Sequence, residues 1–212
     1  ANATKIDVRI FIDSLEKQET LQIEITDNGE GFTSERYDKF CELLKVEEDT
    51  HKGVGRLVYL SYFNEIEVSS YYDSHHRIFT FNDEFDKERS NMQLSDNADG
   101  KQETKLLFKD CSLKRLSSYS VITPEYLKRQ ILQEFFSRLY FIKKAGRNIN
   151  ITFEIDIPHK NKKHIIGPHK SVISMEDIPA MSSTPVNIDR IAMFESSSLD
   201  YAIIKTEDTS ST

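Results

Sequence analysis

Asp27 ends an alternating run, Leu21-Gln22-Ile23-Glu24-Ile25-Thr26, and is followed by Asn28-Gly29-Glu30-Gly31-Phe32. A carboxylate thus stands at a strand end beside two glycines one residue apart. An ionised Asp only accepts hydrogen bonds, so there it suits the exocyclic amine of adenine and repels the carbonyl that guanine carries at the same place. Gly29 and Gly31 let the backbone approach a flat base and turn sharply out of the sheet. A second pair follows in Lys52-Gly53-Val54-Gly55-Arg56. Gly53 and Gly55 precede a helical stretch, where unpaired amides favour an anion such as a phosphate, and Lys52 adds a full charge. Together these residues describe a purine-nucleotide pocket. It is neither a Walker loop nor a dinucleotide fingerprint, since the spacings of both are missing.

The elements that must position these residues read as follows. Ile6, Val8, Ile10 and Ile12 alternate with Asp7, Arg9 and Phe11, and with Leu21, Ile23 and Ile25 predict an antiparallel strand pair. Tyr37, Phe40, Cys41 and Leu44 recur at helical spacing, with Thr33 or Ser34 as cap and Glu35 in the first turn. The acidic stretch Glu47 to His51 suits a solvated lid. From Arg56 to Phe63 the residues Leu57, Val58, Tyr59, Leu60, Tyr62 and Phe63 are apolar around most of a helix and predict a buried one. Strands are expected at Ile66 to Tyr72, Arg77 to Phe81 and Thr104 to Lys109, with residues 82–101 as a polar surface excursion. Thr123-Pro124-Glu125 starts a helix whose buried stripe is Leu127, Ile131, Phe135 and Leu139, ending at Lys143, Lys144 and Gly146. Ile149 to Ile157 is the last clear strand. The order predicts an α+β fold, a two-layer sandwich with a mostly antiparallel, mixed sheet and helices on one face. Past Pro158 the character changes: Ser182 to Pro185 and Ser196 to Ser198 look loop-like, and Asp200 to Lys205 looks strand-forming. Residues 1–157 therefore form one domain, and 158–212 read as the start of a second or a tail.

At 38% hydrophobic and 30% charged residues, the chain is too apolar for disorder and too charged for a membrane protein. No apolar run nears the roughly 20 residues that span a bilayer, and no signal peptide is visible, so a cytoplasmic location is expected. A net charge of −7 argues against nonspecific nucleic-acid binding by the whole surface. Cys41 and Cys111 are expected to be reduced.

The motifs Asp27-Asn28-Gly29-Glu30-Gly31-Phe32 and Gly53-Val54-Gly55-Arg56 resemble the GHKL, or Bergerat-fold, ATPases. That superfamily includes gyrase B subunits, ninety-kilodalton heat-shock chaperones, sensor histidine kinases and MutL-type mismatch-repair proteins. The resemblance covers residues 1 to 157, and the interval between the glycine boxes (53 − 29 = 24) with its intervening helix strengthens it. It implies ATP and Mg2+ as ligands, a homodimer through the longer protein, and lid closure that signals to neighbouring domains. Thr104 resembles the threonine that supports the adenine-binding Asp through water, although Glu103 stands where a glycine usually precedes it. The resemblance also implies a catalytic Glu and a magnesium-binding Asn on a helix before the first strand. Both are expected upstream of Ala1, so no catalytic or metal residue is assigned, and loss of such a base costs about 10²- to 10⁴-fold in rate. No histidine lies on a convincing dimerisation helix, which disfavours the histidine-kinase branch.

Other readings stand beside this one. Asn28-Gly29 is a hairpin signal, but Glu30 to Leu44 has helical spacing where the return strand belongs. A calcium loop fails because Gly29 occupies a ligand position. The Gly53 pair also reads as a tight turn, and Thr104 alone as a strand residue. His159, His164 and His169, spaced by five, fit no zinc geometry on one helix or strand face. Lys160, Lys162, Lys163 and Lys170 suit a solvated loop, a terminal phosphate or nucleic acid. The alternatives to an ATPase module are a nonhydrolysing nucleotide sensor or scaffold, and a nucleic-acid-interacting protein using residues 159–170.

Overall fold

The computed structural model describes residues 2–42, 55–86, 91–112, 118–158, 161–162, 165, 167–179, 182–185 and 198–201. Eight strands form one sheet: β1 (Lys5–Phe11), β2 (Gln22–Asp27), β3 (Phe63–Tyr72), β4 (His75–Phe81), β5 (Gln93–Asp96), β6 (Glu103–Cys111), β7 (Asn150–Asp156) and β8 (Lys170–Ile173). Their order is β5-β4-β3-β6-β2-β1-β7-β8. Every pairing is antiparallel except β1 with β7. β9 (Ser182–Pro185) and β10 (Ser198–Tyr201) pair separately.

Alternation decides which face is buried. Ile10, Ile66, Val68, Phe79, Phe81, Phe108, Phe153 and Ile155 point to one side and form the core. The opposite face is polar and laced with ion pairs such as Lys105–Glu24 at 3.0 Å and Lys109–Glu67 at 2.6 Å, as suits an antiparallel sheet solvated on one side. The helices cover the apolar side. α1 (Ser34–Cys41) lays Tyr37 and Phe40 against Phe79, while Tyr59 of α2 (Gly55–Leu60) meets Phe108 edge to face. Leu127 of α3 (Pro124–Glu134) joins the same core, and Leu139 of α4 (Phe136–Lys144) packs with Ile149 and Ile178. The fold is the α+β arrangement expected, with a mostly antiparallel mixed sheet and helices on one face.

Four expectations need correction. α2 is not buried: Leu57, Val58 and Tyr59 are 37%, 52% and 41% exposed. The helix from Thr123 breaks at Phe135, whose backbone leaves helical geometry (φ −109°, ψ 15°) and whose side chain is 49% exposed rather than buried. The surface excursion contains a strand, β5, all four of whose residues are exposed, so it carries no burial alternation to read. Ser182 to Pro185, expected as loop, is strand β9, and β10 begins at Ser198 rather than Asp200. The expected lid (47–51) and Leu44 lie outside the described residues. β8 pairs with β7, so the sheet takes in chain as far as Ile173. Cys41 and Cys111 are unbridged.

Candidate functional site: a polar row on the buried face

Residues directly opposite on paired strands share a face. From β4 to β1, one row reads Arg77, Ser70, Thr104, Asp27 and Ile6. The next reads Phe79, Val68, Leu106, Ile25 and Val8, all apolar. The polar row lies at the end of the sheet where the chain leaves β2 for α1, and the loop of residues 28–33 folds back over it.

That loop is fixed by specific bonds. Asn28 accepts from the Thr4 and Lys5 amides, both at 2.9 Å, and donates to Thr4 Oγ1 at 2.8 Å, tying the loop to the start of β1. Glu30 is held by Asn2 and Arg36. Gly31 has φ +74°, and a Cβ there would lie 2.8 Å from Ser70 Oγ and 2.9 Å from Tyr72 Cβ. Both the left-handed backbone and the close approach to β3 therefore require glycine. The Phe32 amide donates to Ser70 Oγ at 2.8 Å. Thr33 then caps α1, its hydroxyl accepting from the Arg36 amide at 3.4 Å.

Arg77 secures the same turn from below. Its Nη1 donates to the Phe32 and Thr33 carbonyls at 2.8 and 2.9 Å, and its Nη2 to Ser34 Oγ at 3.2 Å. The guanidinium is 3% exposed and lies over the Tyr37 ring at 4.7 Å and the Tyr72 ring at 5.4 Å. Oriented carbonyls and π faces offset the cost of burying its charge, though Nε has no partner among the described residues.

Asp27 Oδ1 accepts the Gly29 amide at 2.7 Å. Oδ2 has no protein donor among the described residues. Burial pushes the carboxyl above its ordinary 3.8, and the Gly29 amide and the Arg36 charge offset this in part. Beside it lies a cavity of about 180 Å³ lined by Asp27, Gly31, Phe32, Arg36, Thr104 and Leu106. That is below the roughly 300–1,000 Å³ of pockets that enclose a drug-sized ligand, and so suits one ring system rather than a whole nucleotide. An acceptor at one wall and apolar surface from Phe32 and Leu106 match a flat base carrying an amine. A larger hollow, about 610 Å³, opens at the far end of β1 and β7 among Phe11, Asp13, Glu19, Gln22, Asp156 and Pro158.

Asp27, Gly29, Gly31 and Thr104 are thus brought together. Thr104 is 3% exposed, and its Oγ1 bonds Ser70 Oγ at 2.9 Å. Gly55 opens α2; Lys52, Gly53 and Val54 lie outside the described residues. So do His159, Lys160, Lys163 and His164, while Lys162 and Lys170 are exposed. Among the described residues no three His, Cys, Asp or Glu side chains converge as a metal-binding group, and no helix is long and apolar enough to cross a membrane. Ser70 and Arg77 escaped the sequence reading. Their one signal was polarity at inward positions of otherwise apolar strands.

No protein-family model matches the chain, and no curated protein matches it. Among solved structures, the chain is similar to the 43K ATPase domain of Thermus thermophilus gyrase B in complex with an aminocoumarin: 19% identity, 80% of this chain and 40% of that one, TM-score 0.43. For the topoisomerase IV ATP-binding domain of Francisella tularensis the values are 15%, 81%, 42% and 0.43. For the ATPase region of Saccharomyces cerevisiae topoisomerase II they are 18%, 54%, 35% and 0.39. The chain thus spans 35% to 42% of the length of these solved chains.

Proposed function

We propose that this chain is the ATP-binding module of a GHKL-type ATPase. One observation carries the reading: Asp27 has one carboxylate oxygen held by the Gly29 amide and the other without a donor among the described residues, beside a base-sized cavity lined by Thr104. Asp27 accepts the adenine amine, Phe32 and Leu106 flank the ring, and Lys52, Gly53, Val54 and Gly55 take the phosphates. When bound, Mg2+ would screen phosphate charge, and no residue of this chain is assigned to it. Residues 1–157 form the nucleotide-binding unit; 158–212 begin a transducer-like unit or tail, whose β8 is laid on the sheet edge. Lid closure on ATP would signal to neighbouring domains of a cytoplasmic, dimeric protein. The test is calorimetry of ATP and GTP against this chain. ATP should bind, with GTP weaker by about 10- to 150-fold, the worth of one hydrogen bond to a charged group. Failure of ATP to bind, or equal affinities, would contradict the assignment.

A further inference from the structure

Ser70 is fully buried, at 0% exposure, and its hydroxyl has one proton to donate. Its oxygen already accepts the Phe32 amide at 2.8 Å. Among the described residues the only acceptor in reach of its proton is Thr104 Oγ1, at 2.9 Å. The reverse polarity, with Thr104 donating to Ser70, would strand a buried hydroxyl proton without a partner, which is costly. The chain of donors therefore runs from the Phe32 amide to Ser70 and from Ser70 to Thr104. Thr104, with one of its two lone pairs taken by Ser70, keeps its own proton free to donate into the cavity that it lines with Asp27.

We infer that Ser70 is a positioning residue for base selection: it fixes Thr104 as a hydrogen-bond donor beside the Asp27 acceptor. This rests on the nucleotide reading above. An acceptor and a donor side by side complement adenine, whose amine is flanked by unprotonated ring nitrogens, N1 on one side and N7 on the other. Thr104 reaches one of them directly or through a single water. Guanine sets its carbonyl against the Asp27 acceptor and, on the N1 side, a protonated nitrogen against the Thr104 donor. Ser70 touches no ligand; it acts through Thr104 while also holding the Phe32 amide.

The test is a comparison of ATP with 1-deaza-ATP and 7-deaza-ATP, each lacking one ring nitrogen, on the wild-type chain and on Ser70→Ala. ATP affinity should fall about 2- to 12-fold in the variant, the span of one neutral hydrogen bond. The same substitution should change affinity for one of the two analogues by less than about twofold, because the acceptor that Thr104 addresses is already gone. Thr104→Val should show the same pattern, and the double variant should bind ATP no more than about twofold more weakly than Thr104→Val alone. Equal losses on all three nucleotides would mean that Ser70 only holds the loop and would overturn the inference, as would no loss on ATP. If Ser70→Ala does not fold, Ser70→Cys, similar in volume and a weak donor, takes its place with the same expectations. A wild-type chain that binds none of the three nucleotides refutes the nucleotide reading itself, a separate outcome.

Discussion

The two adjacent rows on the buried face use the same strands and lie two residues apart, yet they serve opposite ends. Phe79 and Val68 are each buried at about 1.5–3 kcal/mol, with Leu106 and Ile25 packed half-buried beside them, and this burial drives folding. Arg77, Ser70, Thr104 and Asp27 return little of that, because each must be desolvated and then satisfied. Their bonds instead hold residues 28–34 in one conformation and, among the described residues, leave one oxygen of Asp27 without a donor. A sheet of this type tolerates such a row only where a loop supplies partners, which is why it lies at the β2–α1 end.

The contrast can be broken most strongly in the apolar row. Phe79 is 1% exposed and packs against Phe32, Tyr37 and Phe40, so Phe79→Ala should cost about 3–5 kcal/mol in urea unfolding. A loss under about 1 kcal/mol would show that the row is not the core. In the polar row, Arg77→Lys keeps the charge but cannot donate to Phe32, Thr33 and Ser34 at once. It should cost about 1–3 kcal/mol of stability and weaken ATP as the turn loosens. Equal stability to the wild type would mean that Arg77 does not clamp the turn.

The smallest effect sharpens the contrast through pH. Burial raises the Asp27 pKa in the folded state, so the folded chain holds this proton more tightly than the unfolded one. Asp27 therefore lowers stability as pH rises from the ordinary aspartate value through the folded one, and the loss persists at neutral pH. Asp27→Asn should remove that decline, giving a urea midpoint at pH 7 no lower than that of the wild type. A lower midpoint would show that the ionised carboxylate stabilises the fold.

Much of this was legible in the residues. Alternation announced β1, β2, β3, β4, β6 and β7, and Thr33 or Ser34 and Thr123 announced the starts of α1 and α3, because these signals are local. The glycine-rich turn after Asp27 was legible for the same reason. The polar row was not: Ser70 and Arg77 become neighbours of Thr104 and Asp27 only through strand pairing between residues far apart in sequence. β5 escaped because a fully exposed edge strand has no burial alternation. The break at Phe135 escaped because neither glycine nor proline marks it. The exposed face of α2 was misread because apolar composition does not say which face is covered.

Asp27 tests the central claim most directly. Isothermal titration of ATP into wild-type and Asp27→Asn chains at pH 7 should show an affinity loss of about 1.5–3 kcal/mol, or roughly 10- to 150-fold, with no loss of fold stability. Undiminished ATP affinity in a folded Asp27→Asn variant would contradict the assignment of this carboxylate to the base.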